Sequence, residues 1–264
     1  MIHSSQSFDA PIWKVMPDHA NSGLAIELRD KKNHSLQIAY IDLAEGQSPI
    51  FIKAELDWWQ GLQTVFQGRI LLHGYEDPGL PLQRGLSIYN GKEGTKLWEN
   101  SSLKFTNYLK AGIMAEVHNE LKLYSWDSGE EVVQSDLQEE LHKMNEKQAA
   151  NLGFPQAYID AHDSFENLAQ IVQEKSEKAP EIQIDFARFG SYQIYNFYHR
   201  NTDESWSQFL GIRKGKEWPF YRQTADALKG LGLDPFFLFK NYLIWLEQEN
   251  TLSYLSLDES NGST

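Results

Sequence analysis

Apolar and polar positions alternate in short runs along this chain, and the runs are joined by glycine-bearing turns in a recurring order. The two fullest copies are residues 86–98 (LSIYNGKEGTKLW) and 121–133 (LKLYSWDSGEEVV). At an offset of 35 residues they match Leu86 with Leu121, Ile88 with Leu123, Tyr89 with Tyr124, Gly94 with Gly129 and Leu97 with Val132. Alternation with a period of two predicts strands. An Asn, Asp or Ser that can bond nearby backbone amides, followed four residues later by Gly, predicts the turn of a hairpin. The same grammar occurs at 42–46 (DLAEG), at 258–262 (DESNG) and, more loosely, at 209–221 (FLGIRKGKEWPFY) around Gly215.

Each hairpin follows a further apolar run: 24–28 (LAIEL), 68–75 (GRILLHGY), 111–117 (AGIMAEV), 191–198 (SYQIYNFY) and 235–246 (PFFLFKNYLIWL). Five units result. Repetition of a small sheet at a fixed period implies radial or linear stacking of supersecondary units. The expected fold is therefore all-β: a single propeller-like domain over 1–264, of about five blades, with six as the alternative. The last copy reaches its turn at the very end of the sequence. Residues 11–16 (PIWKVM) are the expected closing strand, completing the blade of 234–262 with Trp13 in the place Trp98 holds after Gly94. A frayed tail is the other reading of those last residues. Residues 136–178 break the alternation. Leu137, Leu141, Met144 and Gln148 carry helical spacing after Ser135 or Asp136, a second short helix is expected from Pro155 through Tyr158 and Ile159, and Ser164 is the expected cap of a third bearing Phe165, Leu168, Ile171 and Val172. This segment reads as a helical insertion between blades.

Charge and composition narrow the partners more than the chemistry. The 37 acidic and 24 basic residues give a net charge of −13, without the basic footprint that binding nucleic-acid phosphates requires. No cysteine is present, which removes disulfides, thiol nucleophiles and zinc–thiolate sites. The first twenty residues have no signal-peptide pattern and no run approaches the length of a membrane span, so a cytoplasmic protein that binds neither membrane nor nucleic acid is expected. Eight Trp, twelve Tyr and fourteen Phe suit strands, and also suit a ligand-binding face.

The glycine turn followed by tryptophan, GTKLW at 94–98, resembles the blades of quinoprotein-like (PQQ/WD-type) propellers, in which that tryptophan docks on the neighbouring blade. Only this copy has the motif in full; Val133 and Ile50 stand in the tryptophan's place in two others. No set of quinone- or calcium-binding residues accompanies it, so the resemblance implies the fold and no cofactor. The chain also looks like bacterial families of uncharacterised function.

Phosphate-binding glycine loops, nucleophile elbows, HExxH and dinucleotide fingerprints are all absent. Weaker constellations remain. Asp57, Trp58 and Trp59 place two adjacent indoles beside an acid, one expected in the core and one exposed as a platform for a sugar or a peptide; packing between blades is the other role open to them. His73 with Tyr75, Glu76 and Asp77 joins an imidazole to two carboxylates, which suits a divalent metal or acid–base chemistry; adjacent carboxylates more often simply solvate a turn, which is the other reading. His162–Asp163 and His199 with Asp203 are further histidine–acid pairs. The expected function is non-catalytic binding of a protein or small ligand, with a hydrolase or lyase acting through carboxylates and His73 in a central funnel as the alternative.

Overall fold

The computed structural model describes residues 3–75, 79, 82–133, 137–232 and 235–258, with backbone alone at 137, 138 and 147. After strand β1 (His3–Ser7), the first sheet is formed by β2 (Ile12–Asp18), β3 (Gly23–Asp30), β4 (Ser35–Asp42) and β5 (Ile50–Phe51). The second is β6 (Gly61–Phe66), β7 (Arg69–Tyr75), β8 (Gln83–Asn90) and β9 (Thr95–Asn100). The third has β10 (Lys104–Tyr108), β11 (Ile113–Val117) and β12 (Glu120–Tyr124). Helix α1 (Leu137–Asn151), β13 (Leu152–Gly153), β14 (Gln156–Ile159) and helix α2 (Phe165–Ser176) follow. In the fourth sheet β14 is joined by β15 (Gln183–Phe189), β16 (Tyr192–Arg200), β17 (Trp206–Lys214) and β18 (Glu217–Leu228). The fifth contains β19 (Phe236–Phe239), β20 (Tyr242–Glu247) and β21 (Thr251–Ser256), with β13 at one edge and β1 at the other.

The protein is thus mostly β, in five antiparallel sheets among the described residues. Where one domain over 1–264 is the sequence expectation, the chain divides into two compact units: Phe8–Asn151, and Met1–Ser7 with Leu152–Thr264.

Local chemistry explains the hairpins. Gly46, Gly94 and Gly129 donate their amides to the carbonyls of Asp42, Asn90 and Ser125, and all three have positive φ. The side chains of Asp42, Asn90 and Ser125 accept from amides two residues on. Gly215 turns β17 into β18. Residues 259–262 of the expected last turn, and the cap at Ser135 or Asp136, lie outside the described residues.

Three expectations are corrected. Residues 11–16 do not close the last hairpin; β2 pairs with β3, and β1 pairs with β21. Packing holds β2 there as well as pairing, because Met16 joins the cluster of Ala25, Ile38 and Leu62. The strand that does join the last hairpin, HSSQS, is polar and carries no apolar alternation; Ser5 and Ser7 instead meet the hydroxyls of Ser253 and Thr251 at 3.1 and 3.0 Å. Residues 156–159 form β14 rather than a helix, because Tyr158 pairs with Ile184 and packs on the cluster around Phe197. Ser164 occupies the start of α2 without a side-chain capping bond, and its own amide donates to His162 Nδ1 at 3.1 Å.

Both faces of the central strands are buried, which is why they read as continuous apolar runs. In the Phe8–Asn151 unit, Leu36, Ile38 and Tyr40 pack against Leu62, Val65, Ile70, Leu72 and Tyr89 of the second sheet. The opposite face of that sheet, with Leu71, Leu86 and Ile88, packs against Ile113, Ala115, Tyr124 and Trp126 of the third. Trp98 of GTKLW donates to the carbonyl of Trp126, in the turn that follows β12, at 3.0 Å. Leu141 and Met144 seat α1 on the same unit. In the other unit Ile194, Leu210 and Ile212 of the fourth sheet meet Phe236, Leu243 and Trp245 of the fifth, and α2 buries Phe165 and Val172 against Ile184, Tyr195 and Phe197.

Candidate functional site

The Asp57–Gln60 stretch is a turn between β5 and β6, held by its own polar groups. Asp57 Oδ1 accepts from the Trp59 amide at 2.8 Å, and Gln60 Oε1 accepts from the Asp57 amide at 3.0 Å. The turn, rather than strand alternation, separates the two indoles. Trp58 is half-buried, with the Arg29 guanidinium 4.9 Å from one ring centroid and His34 stacked at 5.4 Å. Trp59 is 47% exposed.

A buried charge cluster fastens this turn to the first sheet. Arg29 donates to the carbonyls of Trp58 and Gln60 at 2.7 and 2.6 Å and pairs through Nε with Glu27. The other oxygen of Glu27 accepts from the Leu62 amide at 2.7 Å, and Lys14 Nζ donates to the Leu62 carbonyl at 2.8 Å. Burial lowers the Lys14 pKa, with Glu27 opposing that shift. These three side chains are committed to backbone and to one another, which makes them struts. Sequence reading passed over all of them; the one signal was Glu27 and Arg29 at alternate positions of an apolar strand.

At the end of β7, His73 is 5% exposed, and neither ring nitrogen has a partner among the described residues. Its imidazole lies over Gly61, where a Cβ would stand 2.9 Å from Cε1, and meets Tyr75 edge to face at 5.1 Å. Burial, then the Lys14 and Arg29 charges, pulls its pKa down to about 4. Glu76 and Asp77 lie outside the described residues, so of that constellation only His73 and Tyr75 are placed. The unfolded chain takes up a proton near the ordinary value of 6.5 while the fold resists it until about 4. Stability present above pH 6.5 is therefore lost as pH falls toward 4, by at most about 3 kcal/mol. In urea titrations, His73→Phe is expected to flatten stability across that window; an unchanged slope would locate the titration elsewhere.

Beside this cluster the second sheet carries a cleft of about 560 Å³, lined by Gln60, Gly74, Gly85, Ser87, Glu99 and Asn100 among others. Ser87 is 4% exposed, and its hydroxyl has no partner among the described residues. That hydroxyl is closed off from solvent, so the polar groups the cleft offers are those of Gln60, Glu99, Asn100 and Ser101.

Residues 17–98 match the family model of a domain of unknown function, DUF4905. The matched stretch covers most of the first two sheets, with Glu27, Arg29, Trp58, His73 and Ser87, and ends just before Glu99, Asn100 and Ser101 of the cleft. No curated protein matches the chain.

The remaining candidates are placed separately. His162 is exposed and accepts from Ser164, while Asp203 accepts from the Ser205 hydroxyl at 2.6 Å. His199 is buried against Phe197 and Phe209, its pKa lowered by burial and then by Lys178. Among the described residues no three His, Asp or Glu side chains are grouped to hold a metal ion, and no helix is long and apolar enough to cross a membrane.

Proposed function

We propose that this chain is a non-catalytic ligand-binding protein whose five sheets are the blades of a propeller, with the cleft on the second sheet as its ligand site. Topology supports the blade reading: each sheet is built on a run of consecutive antiparallel strands, and the first strand of the chain joins the last sheet. The observation that carries the binding reading is the cleft itself, of ligand size and walled by the polar side chains of Gln60, Glu99, Asn100 and Ser101. The Asp57–Gln60 turn supplies Gln60 to it.

The test is amide NMR of the whole chain with a mixed collection of small metabolites. Expected are saturable shifts centred on Gly74, Gly85 and Asn100, with each binding compound recovered chemically unchanged by mass spectrometry. Shifts elsewhere only would refute the site. Consumption of a compound that stops in His73→Gln would instead favour the enzyme with His73 at its centre.

A further inference from the structure

We infer that the cleft on the second sheet selects a neutral polyhydroxylated ligand of monosaccharide or disaccharide size; this rests on the ligand-site reading above. The lining supplies hydrogen-bonding groups with little net charge. Glu99 is the one charged residue among the described lining, and its Oε2 already pairs with Lys96 Nζ at 2.6 Å. Two cations beside it are spent: Arg29 on Glu27 and the carbonyls of Trp58 and Gln60, and Lys14 on the carbonyl of Leu62. An anionic ligand would therefore meet a carboxylate and no free ammonium or guanidinium in the described lining.

The two amides are oriented by the backbone. Gln60 Oε1 accepts from the Asp57 amide and Asn100 Oδ1 from the Ser102 amide at 2.9 Å, so each keeps its NH2 group as a donor. Ser101, an exposed lining residue, adds a hydroxyl that both donates and accepts, and Glu99 adds an acceptor. Sugar hydroxyls donate and accept in the same way, so they satisfy this mixed set where an apolar molecule would strip its water and return no hydrogen bond. The volume of about 560 Å³ suits a ligand of that size.

The experiment titrates the whole chain with glucose, mannose, galactose, maltose and cellobiose, and in parallel with inorganic phosphate, acetate and putrescine, reading amide shifts and tryptophan fluorescence. At least one sugar is expected to bind saturably, with Asn100→Ala and Ser101→Ala each weakening it about tenfold or more. Both side chains are exposed, so both variants are expected to keep the fold. Saturable binding of phosphate, acetate or putrescine at the cleft amides, with the sugars silent, would overturn the neutral class and leave the ligand site standing. Silence of every probe at those amides at tens of millimolar would overturn both. Sugar binding that both variants leave unchanged would place it outside the cleft and overturn the assignment.

Discussion

Asp18→Asn is expected to destabilise the Phe8–Asn151 unit by about 3–5 kcal/mol, read as a fall in the urea midpoint. The carboxylate is fully buried at the end of β2. It accepts from Ala20 and Asn21 in its own turn, and from the amides of Gln67 and Gly68, at 2.9 and 2.6 Å, in the β6–β7 turn. The Tyr40 hydroxyl donates to it at 3.2 Å, and burial, together with the carboxylate, holds the Tyr40 pKa above its ordinary value. Asparagine keeps the shape but turns one acceptor into a donor facing donors. Several charge-assisted bonds are weakened and at least one buried amide loses its partner. Asp127→Asn is the control: Asp127 pairs with Arg69 at the surface, and its loss should cost less than about 1 kcal/mol. Equal effects of the two substitutions would show that Asp18 does not tie the first sheet to the second.

The contrast between these two aspartates shows which parts of the protein were legible in its sequence. The turns at Asp42, Asn90 and Ser125 could be read because side chain, amide and glycine lie within five residues of one another. Asp18 carries no such mark, since its decisive donors, Gln67 and Gly68, lie about fifty residues away. Glu27 and Arg29 are similar: charged residues inside an apolar strand, with partners in the turn and strand around residues 58–62. The all-β class and the hairpins were legible from alternation; the strand His3–Ser7 was not, because an edge strand bonded by backbone and hydroxyls needs no apolar face. Within the candidate site, the adjacent tryptophans and His73 stood out by residue type. Ser87 did not, since a serine in an apolar strand looks the same whether its hydroxyl is satisfied or not.

Gly94→Ala should be far more costly than Gly46→Ala, although both glycines close the same kind of turn. Each has positive φ, at +70° and +60°, so each substitution carries a left-handed penalty of about 1–2 kcal/mol. At Gly46 nothing lies within 4 Å of the added Cβ, and the cost should stop there. At Gly94 the Cβ would stand 2.2 Å from the backbone oxygen of Phe51 and 3.2 Å from its carbonyl carbon. Backbone cannot swing aside as a side chain can, so β5 must move. That movement strains the bond from the Lys53 amide to the Gly94 carbonyl, 2.8 Å long, which joins the edge of the first sheet to the turn of the second. An added overpacking cost of about 1–3 kcal/mol brings the expected loss for Gly94→Ala to about 2–5 kcal/mol. Gly129→Ala should fall between the two, because its Cβ would press on the Trp98 ring at 2.7 Å and a ring has some freedom to shift. The order Gly46, Gly129, Gly94 in urea midpoints is the prediction. It separates the glycine a turn requires for its own geometry from the glycine that the next sheet requires for contact. If all three substitutions cost the same, turn geometry alone would account for the repeated glycine, and sheet-to-sheet docking would have no part in it.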